Sequence, residues 1–279
     1  MRVQTFPQQL LFSTVRLETT LHGEQQRGVG TAFIFAYNIP DKGDALFLVT
    51  NKHVVRNAVE GRFFFTADKG GTPLVGNRVD CIVGDFTARW HGHENPDVDV
   101  AVMPVVPVLK ELEQAGRKPF FRSIPAALAP SDQVMGELDA REDLIFAGYP
   151  SGIYDQVNLT PVIRTGTSAT PVGLDYNGLP CFIIDASVFP GSSGSPVFIY
   201  NAGSYSTPKG LVIGTRLLFL GIIASVFYRM DTGAIELGEI PTGATLSVQT
   251  TQMIDLGVVF KTRTVVEAVE SLLRAAGEL

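Results

Sequence analysis

Short apolar or alternating runs recur along the whole chain, separated by Gly, Pro, Asn and Asp. They fall at 14–21, 30–37, 45–50, 62–67, 80–86, 98–106, 144–148, 158–165, 181–186, 195–200, 211–227 and 245–250. Several are rich in Val, Ile, Phe and Thr, the residues that suit a pleated, half-buried surface. The runs 45–50 and 181–186 are continuous rather than alternating, so they read as strands buried on both faces. A dozen short strands with little helix predict a sandwich or barrels.

One helix is clear, at the C-terminus. Thr264 stands three residues before Glu267, the spacing of a capping box. Val265, Val269, Leu272, Leu273 and Ala276 then fall on one face of a 3.6-residue period, predicting a helix that packs on a barrel surface. The stretch 104–130 carries Pro104, Pro107, Pro119, Pro125 and Pro130 and a helical turn at 109–114. It reads as the connection between two halves, 1–118 and 119–279.

Composition agrees with this picture. Of 279 residues 45% are hydrophobic and 18% charged, so the chain can bury a sizeable core. Its 28 glycines fit an architecture of many tight turns. The net charge of −6, with no Lys/Arg run, is a poor electrostatic match to nucleic acid or an anionic membrane. No apolar stretch is long enough for a membrane helix, and the N-terminus lacks the basic start and apolar core of a secretory signal. The expectation is a cytoplasmic protein. Cys81 and Cys181 lack metal-type spacing and read as two buried free thiols.

Three segments carry chemistry. Phe189-Pro190-Gly191-Ser192-Ser193-Gly194-Ser195-Pro196 is a turn in which glycines let backbone N–H groups converge, the setting for a nucleophilic serine. Phe47-Leu48-Val49-Thr50-Asn51-Lys52-His53 is an apolar strand ending in a histidine. Asp97-Val98-Asp99-Val100-Ala101-Val102 sets Asp99 at the head of an apolar run, where a carboxylate needs a partner, and an imidazole N–H would be a functional one. Asp97 and Ser195 are the neighbours that compete with Asp99 and Ser193. His91, His93, Glu94 and Asp97 form a polar cluster that reads as a solvated loop, not a metal site. His22 is isolated and carries no functional argument.

With these segments in order His, Asp, Ser, the sequence resembles the trypsin/chymotrypsin-like serine proteases, bacterial branch, over roughly residues 25 to 277. The histidine segment is similar to that of the high-temperature-requirement type. Ser193-Gly194-Ser195-Pro196-Val197 also resembles the glutamyl-endopeptidase type. The resemblance implies an all-β fold of two six-stranded antiparallel β-barrels (chymotrypsin-like), with the site in the crevice between them. It implies a serine endopeptidase acting on polypeptides through His53, Asp99 and Ser193, with the N–H groups of Gly191 and Ser193 as oxyanion hole and no metal or cofactor. An esterase using the same triad, or a closed protease-fold binding protein, is the alternative.

Departures from the family shape further expectations. Where trypsin-type zymogens carry an aspartate just before the nucleophile, this chain has Ser192. The oxyanion loop must then be held by its own order or by a regulatory protein partner. The specificity pocket is expected from Ser187, Ala224 and Ser225, which supply no charge and suit small or apolar side chains. The stretch after residue 255 is too short for a PDZ domain.

Overall fold

The computed structural model describes residues 1–21, 27–207, 210–235 and 246–279. His22 lies outside them. The first half contributes β1 (Thr14–Leu21), β2 (Arg27–Ile39), β3 (Gly43–Thr50), β4 (Ala58–Asp68), β5 (Pro73–Gly84), β6 (His91–Gly92) and β7 (Ala101–Pro104). These run β5-β4-β1-β2-β3-β7-β6 in one sheet. The Pro-rich connection adds β8 (Pro119–Phe120) on β4 and β9 (Ile124–Pro125), parallel, on β2. The chain therefore leaves the first sheet only after Pro125.

This sheet curls around a core of its own. Val15, Leu17, Ala32, Ile34, Leu48, Phe63, Phe65, Val79, Cys81 and Met103 meet in one buried cluster, although they come from six strands. The alternation along each strand makes this possible, because every second side chain points to the same face.

The second half is a closed barrel. Its strands are β10 (Asp143–Gly148), β11 (Val162–Ser168), β12 (Cys181–Asp185), β13 (Pro196–Asn201), β16 (Arg216–Ile235) and β17 (Leu246–Lys261), ordered β10-β11-β12-β17-β16-β13. A separate hairpin, β14 (Ser204–Thr207) with β15 (Gly210–Ile213), stands beside it. The apolar run 211–227 thus divides into two strands, β15 and β16, with Gly214 at φ +156° between them.

The helices are short except one. They are α1 (Phe6–Leu10), α2 (Lys52–Val55), α3 (Val106–Gln114), α4 (Asp132–Glu137) and α5 (Thr262–Ala275). The expected C-terminal helix exists but starts two residues before Thr264. Its N-cap is Lys261, and Thr264 Oγ1 donates to the Lys261 carbonyl at 2.8 Å from inside the first turn. Val265, Val269 and Leu273 are buried as the period predicts, Ala268 joins them, and Ala276 is exposed at the C-cap.

A second cluster joins the halves. Phe33, Phe35, Phe47 and Val49 of the first sheet pack with Phe198, Phe219 and Phe260 of the barrel and with Val265 and Val269 of α5. Val98 and Val100 enter the same cluster although the residues before Ala101 are not in a ladder. Cys81 and Cys181 are both free and buried, in different clusters. Among the described residues no helix is long and apolar enough to cross a membrane.

Candidate active site

The site begins with the end of β3. After Thr50 the chain turns into the single helical turn α2, with Asn51 as its N-cap. That turn carries His53 out of the sheet and leaves its side chain 43% exposed. Opposite, residues 93–100 form a loop before β7, and Asp99 lies where this loop rejoins the sheet. His53 Nδ1 is 2.5 Å from Asp99 Oδ2, and the His53 backbone N–H donates to Asp99 Oδ1 at 3.1 Å. Asn51 Nδ2 donates to the Asp99 carbonyl at 2.6 Å, so the cap residue of one segment fixes the backbone of the other.

Burial pushes the Asp99 carboxyl up, but the hydrogen bonds and charge of His53 outweigh it, and Arg56 adds to them. The net effect holds Asp99 below the ordinary carboxylate value. Asp97 is exposed, and its backbone N–H caps back to Asn95 Oδ1 at 2.9 Å.

The serine turn comes from the barrel, between β12 and β13. Gly191 and Gly194 have φ of +89° and +92°, a backbone region that side chains disfavour. A Cβ on Gly191 would sit 2.5 Å from the Tyr149 carbonyl. Within the turn the Ser192 N–H donates to Phe189 O at 3.0 Å and the Gly194 N–H to Ile223 O at 2.8 Å. The N–H groups of Gly191 and Ser193 donate to nothing among the described residues. Two donors are thereby left over beside Ser193, whose side chain is half-buried.

Ser193 Oγ donates to the Ala224 carbonyl at 3.4 Å, and among the described residues no hydrogen bond joins it to His53. The strand pairing explains that acceptor. Ile223 pairs Val259 and Ser225 pairs Val258, so Ala224 is the extra residue of a bulge and its carbonyl is free of the ladder. Ala224 is buried, Ser225 exposed and Ser187 half-buried. Ser195 is fully buried, with its hydroxyl unpartnered.

The polar cluster expected as a solvated loop, 91–97, begins in β6 and is docked on α5. His91 Nε2 lies 3.1 Å from Ser271 Oγ, which donates to Glu94 Oε1 at 2.6 Å, and His93 Nε2 lies 2.9 Å from Glu267 Oε2. The amphipathic α5 carries these partners on the face next to its buried stripe. Among the described residues no group of His, Cys, Asp and Glu is arranged to hold a metal ion.

Two contributors carry no sign of their role in the sequence. Asn51 stands without a role of its own in the segment that ends in His53, and Ala224 is expected as pocket wall rather than as an acceptor. For Asn51 the signal is a polar residue at the end of an apolar run, but its full burial is what the sequence does not print.

The trypsin-like peptidase domain family matches residues 30–204 of this chain. The chain belongs to that family: by class it is a serine endopeptidase of the trypsin-like fold. Among solved structures it is similar to the serine endoprotease of Yersinia pestis, at 16% identity and a TM-score of 0.48, covering 98% of this chain and 68% of that one. The Rv3671c protease of M. tuberculosis gives 16% identity and a TM-score of 0.42, over 94% of this chain and 81% of that one. The thermostable serine protease AL20 of an extremophilic microorganism gives 14% and 0.46, over 94% and 97%. No curated protein sequence matches the chain.

Proposed function

We propose that the protein hydrolyses peptide bonds of polypeptide substrates through His53, Asp99 and Ser193 and an acyl-enzyme intermediate. The observation that carries this is the double contact of His53 with Asp99, set against a serine turn with two unused N–H donors. In this reading the first sheet, which extends to Pro125 rather than ending at residue 118, supplies the base and its partner, and the barrel supplies the nucleophile.

The Ser193 hydroxyl first turns from the Ala224 carbonyl toward His53 Nε2. Oγ then attacks the scissile carbonyl carbon while Nε2 takes the hydroxyl proton. The carbonyl oxygen becomes an oxyanion that accepts from the Gly191 and Ser193 N–H groups. The intermediate collapses, the C–N bond breaks, and the imidazolium gives its proton to the departing amine. Water then attacks the ester, passes its proton to Nε2, and Ser193 recovers it as the acid product leaves. Asp99 accepts the Nδ1–H throughout, which holds the tautomer and stabilises the imidazolium. Ser187, Ala224 and Ser225 line the pocket for the side chain before the cleaved bond.

A second reading is favoured by one contact. The Ser193 hydroxyl bonded to Ala224 is the arrangement of a closed site that a regulatory protein partner would open. A fluorophosphonate probe separates the two. Labelling of Ser193 in the isolated protein, lost in Ser193→Ala, supports the active enzyme. Absence of labelling supports the closed form. A peptide-library digest then separates a peptidase from an esterase. A cytoplasmic location is part of the proposal, supported by the two buried free thiols.

A further inference from the structure

Thr31, in β2 of the first sheet, is fully buried, and each of its polar groups is engaged. Its N–H donates to the Ser193 carbonyl at 2.8 Å. Its Oγ1 donates to the Gly191 carbonyl at 2.9 Å and accepts from the Tyr149 N–H at 3.1 Å. Its carbonyl accepts from Thr50 Oγ1 at 2.7 Å.

These contacts bear on the two free donors of the serine turn. A peptide unit is planar and trans, so its carbonyl and its N–H point in opposite directions, and pinning one aims the other. All four carbonyls from Pro190 to Ser193 are pinned. The Ser151 N–H takes Pro190, Thr31 Oγ1 takes Gly191, the Ser195 N–H takes Ser192, and the Thr31 N–H takes Ser193. With the Pro190 and Ser192 carbonyls held inward, the Gly191 and Ser193 N–H groups are the ones directed away.

We propose that Thr31 is a positioning residue whose side-chain hydroxyl locks the 190–193 turn in the form that presents the Gly191 and Ser193 N–H groups together. This rests on the catalytic reading of the same site. The hydroxyl ties down both ends of the device. As donor it fixes the Gly191 carbonyl. As acceptor it fixes Tyr149, two residues before the Ser151 N–H that pins Pro190. Without it, the Gly191 carbonyl and the Tyr149 N–H are both buried and unpaired. The turn relieves that by rotating the Gly191–Ser192 peptide unit at the glycine, which moves freely; the Ser192 N–H then leaves Phe189 O, and the units on either side, which carry the two donors, lose their fixed setting. Through Thr50 the clamp also reaches the strand end that carries Asn51 and His53. It offers a physical answer to Ser192 standing where a zymogen-type aspartate is absent: the turn is held from the facing sheet by a neutral hydroxyl.

The test compares Thr31→Val, which keeps the shape and removes the hydroxyl, with Thr31→Ser, which keeps the hydroxyl. Three readouts apply: kcat and KM on a cleavable peptide, the rate of fluorophosphonate labelling at Ser193, and amide exchange at Gly191, Ser192 and Ser193. Thr31→Val is expected to lower kcat and labelling together by about tenfold or more with KM within about twofold, and Thr31→Ser to stay near wild type. Thr31→Val with wild-type kcat, or Thr31→Ser as impaired as Thr31→Val, overturns the proposal. If Thr31→Val is recovered only unfolded, Thr50→Val removes the donor to the Thr31 carbonyl and is expected to lower kcat by about threefold at constant KM. An unchanged kcat there overturns it. A wild-type protein that neither cleaves nor labels sinks the catalytic reading instead. The clamp is then judged by amide exchange alone, where identical Ser192 protection in wild type and Thr31→Val counts against it.

Discussion

His53 meets Asp99 twice, through Nδ1 at 2.5 Å and through its own backbone N–H at 3.1 Å. The second contact makes the carboxylate a fixture of the α2 turn as well as a partner of the ring, so Asp99 orients the imidazole and its backbone together. Asp99→Asn keeps the shape but favours the wrong tautomer, and kcat is expected to fall about 10⁴-fold. Asp97→Asn, at an exposed position, is expected to change kcat little. Both variants, shown folded by circular dichroism and assayed on one peptide, decide the assignment; a crippled Asp97→Asn beside a normal Asp99→Asn overturns it.

The same pair gives a pH dependence of stability. Asp99 has its carboxyl pKa lowered in the folded protein, so folding is favoured when it is ionised. That contribution is complete above the ordinary carboxylate range and is lost as pH falls through the lowered folded value. Wild type is therefore expected to lose more stability than Asp99→Asn on acidification below about pH 4. Urea melts at several pH values measure it, and parallel curves for the two proteins would refute it.

Ser195 tests which serine of the turn does chemistry. Its hydroxyl is fully buried without a partner, so Ser195→Ala removes an unsatisfied group rather than a contact. Stability is expected to stay within about 1 kcal/mol of wild type or rise, with probe labelling kept. Ser193→Ala is expected to lower kcat by about 10⁴–10⁶ with the fold intact. Loss of labelling in Ser195→Ala instead would move the nucleophile.

At Gly194 the serine turn lies hard against β2 of the first sheet. A Cβ there would lie 1.8 Å from the Thr31 carbonyl oxygen, at a φ of +92°. Gly194→Ala must displace either the serine turn or β2, and a loss of at least about 3 kcal/mol is expected together with activity. Chemical denaturation checks the first and a peptide assay the second.

Away from the site, Glu142 and Arg216 form a buried pair with side chains 8% and 14% exposed. Arg216 Nη1 donates to Glu142 Oε1 at 3.1 Å, and Nη2 donates to Oε2. Glu142→Ala leaves the half-buried guanidinium with Asn201 Oδ1 and the Tyr205 ring as its partners and is expected to cost about 1–3 kcal/mol, read from urea melts. A cost under 1 kcal/mol would show that solvent reaches Arg216 freely.

Strand existence was legible because side-chain alternation follows directly from strand geometry, and 14–21 coincides with β1. Strand ends were less so. Of the run 245–250, the described residues 246–250 are only the beginning of β17, which continues to Lys261 past Asp255 and Gly257. Asp255 adopts φ +58° there, a local irregularity that reads in sequence as a stop. The helix period was clear, but its start was misread at Thr264 because a capping hydroxyl and a hydroxyl back-bonded within the first turn look alike in sequence.

The sequence by itself determined the alternating strands, the C-terminal amphipathic helix, the order His, Asp, Ser and the glycines that the serine turn requires. Those are properties of neighbouring residues, and local sterics and solvent preference write them into the chain. The tertiary structure alone decided that Asn51 ties down the Asp99 backbone, that Ser195 is sealed inside, and that the Ala224 carbonyl is turned toward Ser193 by a bulge. It alone brought Thr31 of one sheet against the turn of the other. Each of these depends on two segments far apart in the chain arriving within about 3 Å, the reach of a hydrogen bond. No local preference encodes that distance; only the packing of the two halves sets it.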